Sequence, residues 1–313
     1  MNTLLTASTL DKNIVVRIDR DPPTANVMSA TSATAAAAAA AAVTTTAKNE
    51  DEILVHGFQD LQWYCAPDSW GPFQDDDDDD DTNDNDNNNN DKREGRDGSW
   101  LIDQDMNRLT IYPPAKKDYW RKTYYRPIMI KDDGPFLHND PMESILDTSG
   151  YYTVTTVFDL TATRQFDQAG IMVRIDAEHW LKTGIEVVDG KARLSCVVTN
   201  HGYSDWSTQP WYGPTVTTNG DNRTGTALHV QKVPIRVHWR AGSVVVESKL
   251  SDKGIMNTSW DFIRIAHLEI NDATAFQAGV FACTPVDQQG GHAIFYDVTI
   301  QRGSHVEHNA DDV

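Results

Sequence analysis

The chain has 313 residues, 46 of them acidic and 27 basic, with a formal net charge of −19 and 39% hydrophobic residues. Ten of the acids fall in residues 75–91, a run of Asp, Asn and one Thr, so the remainder carries 36 acids against 27 bases, a balance of −9. That balance argues against a nucleic-acid partner, which needs a basic face. No apolar stretch approaches the roughly 20 residues that cross a bilayer, which argues against a membrane partner.

Residues 1–50 read as a disordered Ala/Thr-rich leader, with an unbroken alanine run at 35–42. Such sequence buries too little apolar surface to offset its ordering entropy. The first 20 residues lack a basic segment followed by an apolar one, so they do not read as a secretion signal. Cys65, Cys196 and Cys283 form a sparse odd set with no metal-type or disulfide-type spacing. A cytoplasmic location is the expectation. A single β-sandwich domain is expected over 51–303, interrupted at 75–97 by a disordered Asp/Asn-rich insert and followed by a tail at 304–313. Like charges in the insert repel and stay solvated, which suits a loop tip.

From Tyr151 onward the alternation has period 2, with β-branched and aromatic enrichment. It predicts strands at 151–160, 169–176, 179–188, 191–199, 233–240, 243–250, 262–270, 276–283 and 293–301. No amphipathic helix competes. Many short strands without intervening helices mean an all-β antiparallel sandwich of the jelly-roll kind.

Two hairpins can be read in register. Asp189-Gly190 suits a tight turn with positive φ at both positions, which pairs Val188 with Lys191, Ile185 with Leu194 and Leu181 with Val198. One face is then aliphatic. The other carries Trp180, Lys182, Glu186, Arg193 and Ser195, with Glu186 opposite Arg193, and is expected to be wet. Around Ala241-Gly242 the same logic pairs Val237 with Val246 and Trp239 with Val244 in the core, and sets Arg236 against Glu247 outside.

At this point the motifs Phe166-Asp-Gln-Ala-Gly-Ile-Met-Val-Arg174, Trp180-Leu-Lys-Thr-Gly-Ile-Glu186, Cys196-Val-Val-Thr-Asn200 and Gly202-Tyr-Ser-Asp-Trp-Ser207 come together. With Lys117-Asp-Tyr-Trp-Arg-Lys-Thr123 upstream, they resemble the regulation-of-enolase family over roughly residues 58–302. The resemblance implies a concanavalin A-like lectin/glucanase sandwich. It also implies regulation of the glycolytic enzyme enolase, which makes enolase the first candidate partner. The acidic insert and the alanine-rich leader depart from the family pattern.

The candidate ligand-binding residues are Arg174, Trp180, Lys182, Glu186, Arg193, Tyr203, Asp205 and Trp206. Aromatic rings stack on sugar CH faces while charged groups bond hydroxyls, so a carbohydrate is the alternative ligand. The plainer reading is that Glu186 and Arg193 satisfy each other across the strands, worth roughly 0.2–1 kcal/mol. A glycoside hydrolase ranks lower, because hydrolysis wants two carboxyls about 5 to 9 Å apart and the hairpin offers Glu186 none at a same-face position; Asp205 or Asp167 would have to reach in from a loop. No catalytic set, metal site or cofactor motif is expected, the acidic turns at 132–134 and 219–222 included.

Overall fold

The computed structural model describes residues 52–67, 98–140, 146–219, 226–249, 251–252, 255–286, 288 and 290–303. The leader at 1–50, the whole insert at 75–97, the tail at 304–313 and part of the turn at 219–222 lie outside the described residues. Among the described residues there is no helix.

Two antiparallel sheets form a β-sandwich, as the alternation predicts. The first runs in the order Asp261–His267, Ser243–Ser248, Thr226–Arg240, Tyr151–Ala162, His292–Arg302, Arg108–Tyr112 and Ser99–Asp103. The second runs Tyr203–Pro210, Lys191–Asn200, His179–Val188, Gln168–Asp176, Ala275–Cys283, Phe136–Asn139 and Leu61–Tyr64. Their inward faces meet in one core. Val154, Phe158, Ile235, Val237, Trp239, Val246, Phe295 and Ile300 come from the first sheet; Ile171, Val173, Leu181, Ile185, Leu194, Val198 and Val280 come from the second. Within regular stretches each set recurs at every second residue, the spacing that sends alternate side chains to one face, and a bulge between Phe295 and Asp297 resets the phase before Ile300.

Both hairpins have the predicted register. Val188 pairs with Lys191, Ile185 with Leu194 and Glu186 with Arg193. Asp189 and Gly190 take φ of +51° and +70° at the turn. In the other hairpin Arg236 pairs with Glu247 and Trp239 with Val244.

Two expectations are overturned here. Ser204 to Ser207, read as a loop, lie in an edge strand, Tyr203–Pro210, paired along its length with Lys191–Asn200, so Trp206 faces Val197 across a ladder. The non-core face of the second sheet is covered rather than wet. A strap formed by the short hairpin Tyr119–Arg121 with Ile130–Asp132 lies against it. Beneath the strap, Tyr119, Phe136, Met172, Trp180, Val197, Phe281 and Cys283 make a second, smaller apolar cluster. Gly134 fits this close approach, since a Cβ there would come within 2.3 Å of Cys283 Sγ.

Candidate functional site

The strap closes over only part of the sheet, and the remainder is a cleft. Its inner chamber has a volume of about 230 Å³, floored by Asp118, Lys182, Glu186 and Val197 and walled by Trp120, Tyr125, Phe166 and Trp206. The same four rings line an adjoining outer groove of about 700 Å³, whose rim includes Tyr124, Gln165, Asp189, Ser204 and Asp205.

Local structure explains how each wall is held. Trp120 sits on the strap, its indole Nε1 donating to Thr123 O at 2.9 Å. The strap is tied down by Arg121 N donating to Ser204 Oγ at 3.0 Å, by Arg121 to Glu178 at 2.9 Å and by Lys182 to Asp118 at 2.8 Å. Phe166 enters from the loop before the 168–176 strand with φ of +66°, a conformation that costs a non-glycine residue energy and persists only when its surroundings fix it. They do so here. Phe166 N donates to Val187 O at 2.8 Å, and Asp167 accepts from the backbone N–H groups of Thr163, Arg164 and Gly291 at 2.9 to 3.1 Å. Asp167 is thereby committed to shaping its loop, and burial pushes its carboxyl up.

The rings meet nearly at right angles. Tyr125 and Trp120 are inclined at 81°, Trp120 and Trp206 at 86°, and Trp206 and Phe166 at 75°, with centroids 5.8 to 6.3 Å apart. These are walls of a box rather than one flat stacking platform.

The floor is charged and nearly dry. Lys182 is 3% exposed and Glu186 6%. Gln168 Nε2 also donates to Asp118 Oδ1, at 3.2 Å. A donor relay runs from the wall to the floor: Trp206 Nε1 donates to Ser195 Oγ at 2.8 Å, and Ser195 donates to Glu186 Oε2 at 2.6 Å. Because Ser195 has one proton and receives one from Trp206, its own proton is committed to Glu186. Glu186 is held through Oε2, and its carboxyl lines the chamber. Burial raises the Glu186 carboxyl to about 7, against the opposing pull of Lys182 and of the Ser195 bond. For Lys182 burial works to lower the pKa, but the Asp118 and Glu186 carboxylates outweigh it and the net shift is upward.

Of the eight candidate residues, Lys182, Glu186, Asp205 and Trp206 line the cleft. The others do not. Trp180 is fully buried, its ring packed edge-on against Tyr119 in the second apolar cluster. Arg174 is bonded to Asp132 at 3.1 Å and to Tyr64 Oη at 3.0 Å, beneath the Tyr64 ring. Arg193 shares a register position with Glu186 but forms no ion pair with it, bonding Thr208 instead at 3.2 Å. Tyr203 is exposed under Lys122, outside both cavities. Asp205, at the rim, pairs with Arg264 at 3.1 Å.

Asp118, Trp120, Tyr125 and Phe166 are site residues that are not among the eight candidates. The first two belong to Lys117-Asp-Tyr-Trp-Arg-Lys-Thr123, the upstream motif that carries the family resemblance. Asp118 supplies the second carboxyl that the hairpin lacks, yet its Oδ1 is already taken by Lys182 and Gln168. The floor therefore suits holding a ligand better than attack on a glycosidic bond, which needs a second carboxyl free to act. Among the described residues no group of three or more His, Cys, Asp or Glu could hold a metal ion, and no helix is long and apolar enough to cross a membrane.

A protein family described as "Protein of unknown function (DUF1349)" matches residues 97–303. The chain is 33% identical over 199 residues to Regulation of enolase protein 1 of Saccharomyces cerevisiae, spanning 62% of this chain and 83% of that one. Among solved structures, a functionally unknown protein from S. cerevisiae is similar with a TM-score of 0.48 at 30% identity, covering 66% of this chain and 97% of the other. The GH43 protein BlXynB from Bacillus licheniformis matches with a TM-score of 0.43 at 12% identity, over 65% of this chain and 34% of the other. The chain belongs to the DUF1349 family.

Proposed function

We propose that this protein is a binding and regulatory module that recognises its ligand in the aromatic cleft and acts by contact rather than by catalysis. The observation that carries this reading is the buried Glu186 carboxyl, held through Oε2 by Ser195, at the base of a four-ring chamber. A concave, largely apolar chamber with an oriented polar group at its base is the arrangement that fixes a ligand. The name of the 33% identical yeast relative supports enolase as the enzyme so regulated. Three free cysteines, two of them buried, suit a reducing, cytoplasmic setting.

The test is equilibrium binding of the full chain to enolase from the same cells, with enolase turnover followed in parallel. Trp206→Ala, which removes a wall of the cleft, is expected to weaken binding at least about tenfold. Equal binding by the variant, or none by the parent protein, would remove enolase contact through the cleft as the function.

A carbohydrate is the second reading. The observation favouring it is the combination of ring walls with a hydrogen-bonding floor, which matches the two faces of a sugar ring. Titration with neutral mono- and oligosaccharides up to the millimolar range tests it, and an absence of saturable binding sinks it.

A further inference from the structure

We infer that the chamber is an aromatic cage for a compact alkylammonium group, with Glu186 as its counter-ion. The inference rests on the cleft being the recognition site and names the chemistry of what enters it.

The ring geometry is the first support. Four rings meeting in sequence at 75 to 86° surround a volume rather than pave a plane. Ring faces carry negative charge density, so a cation enclosed by several of them is attracted from each side. A sugar ring is better served by a flat platform.

The second support is how this chain treats its other rings. Arg174 stands 4.2 Å over Tyr64, Arg236 4.4 Å over Trp260 and Lys122 5.1 Å over Tyr203. Among the described residues, no cation of the chain stands over Trp120, Tyr125, Phe166 or Trp206. The faces of these four rings are therefore not occupied by a cation of the chain.

Charge is the third. Lys182 is bonded at 2.8 Å to Asp118, so the floor holds two carboxyls, Asp118 and Glu186, against that one ammonium. Glu186 Oε2 is fixed by Ser195, which leaves Oε1 as the atom an ammonium would meet. The rim adds Asp189, while Asp205 beside it is paired with Arg264. An anionic ligand would face these carboxylates, and a neutral one would leave Oε1 without a charged partner.

The groups facing Glu186 are Lys182 on its own strand, Arg193 on the neighbouring strand, Asp118, Tyr125 and Lys131 from the strap, and Cys283 beyond Lys182. Cation binding favours the carboxylate form, so occupancy near neutral pH releases a proton from Glu186 to solvent and tightens as pH rises through about 7.

Isosteric pairs test this with the full chain, using the Trp206 indole N–H resonance and calorimetry. Choline is compared with 3,3-dimethylbutan-1-ol, and Nα-acetyl-lysine amide with the amide of Nα-acetyl-2-aminoheptanoic acid. At least one cation is expected to bind about tenfold tighter than its neutral isostere. The first pair reports a free quaternary amine and the second a lysine side chain. The advantage is expected to vanish in Glu186→Gln and to shrink in Trp206→Phe, a milder change kept in case larger ones unfold the site. Equal binding of cation and isostere, or tighter binding of a neutral sugar, overturns the cage while leaving a recognition cleft. No binding by any probe overturns both.

Discussion

Lys182 and Asp118 form a 2.8 Å ion pair that joins the second sheet to the strap lying across it. Both side chains are largely buried, at 4% and 13% exposure. Taking two charges out of water is costly, and their attraction offsets that cost only while both are present. Asp118→Ala strands the Lys182 ammonium and is expected to destabilise the fold by about 3–5 kcal/mol. Replacing both residues by apolar ones of similar volume should cost far less than that single change. Urea denaturation of the three proteins checks this, and an Asp118→Ala loss below about 1 kcal/mol would mean the strap lifts and lets Lys182 reach water.

The contrast between sheet and strap also explains what was legible in the sequence. The 179–188 and 191–200 strands could be paired because an Asp-Gly turn fixes the register and a one-residue slip would expose Ile185 and Leu194. That reasoning assigns faces correctly. It does not say what covers the second face, because a cover supplied from residues 117–135 is a long-range fact with no local period. Trp180 and Arg174 were therefore placed on the right side of the sheet and wrongly in water. Phe166 was hidden for another reason: its direction depends on a positive φ held by backbone bonds from Val187 and by the Asp167 carboxyl.

Glu186 ties stability to pH. Its folded pKa of about 7 lies above the ordinary value of 4.5, mainly through burial. The folded state therefore holds a proton that the unfolded chain releases, and stability falls as pH rises from about 4.5 through 7. Above that range the penalty is complete, on the order of 3 kcal/mol at most. Glu186→Gln removes it. The variant should match the parent protein at pH 4.5 and melt higher at pH 8, as thermal unfolding at the two values would report. A constant difference across pH would mean that Glu186 titrates normally.

Ser195 is predicted to act on the cleft only through its two partners. Ser195→Ala leaves Trp206 Nε1 without its acceptor and Glu186 Oε2 without its donor, at an expected cost of about 1–3 kcal/mol. The Ser195 bond lowers the Glu186 pKa, so the variant's carboxyl should titrate higher still. Carbon-13 NMR of the Glu186 carboxyl gives both titration curves. A downward or absent displacement would show that the relay does not reach Glu186.

The two hairpins place a Glu opposite an Arg in the same way, Glu186 with Arg193 and Glu247 with Arg236, yet their energetics should differ. Glu247 is fully buried and accepts hydrogen bonds from Arg236 and, at 2.8 Å, from His238, whose other ring nitrogen meets Thr153 Oγ1 at 2.9 Å. Trp260 lies over the Arg236 guanidinium at 4.4 Å. Removing Glu247 uncovers a buried cation, so Glu247→Ala should cost about 3–5 kcal/mol. Among the described residues Arg193 bonds only the Thr208 hydroxyl, and Arg193→Ala should cost less than about 1 kcal/mol. Register alone would assign the two pairs equal worth. A double-mutant cycle on each pair decides between these accounts: coupling is expected for Glu247 with Arg236 and near zero for Glu186 with Arg193, and equal coupling in both would mean that cross-strand position outweighs burial.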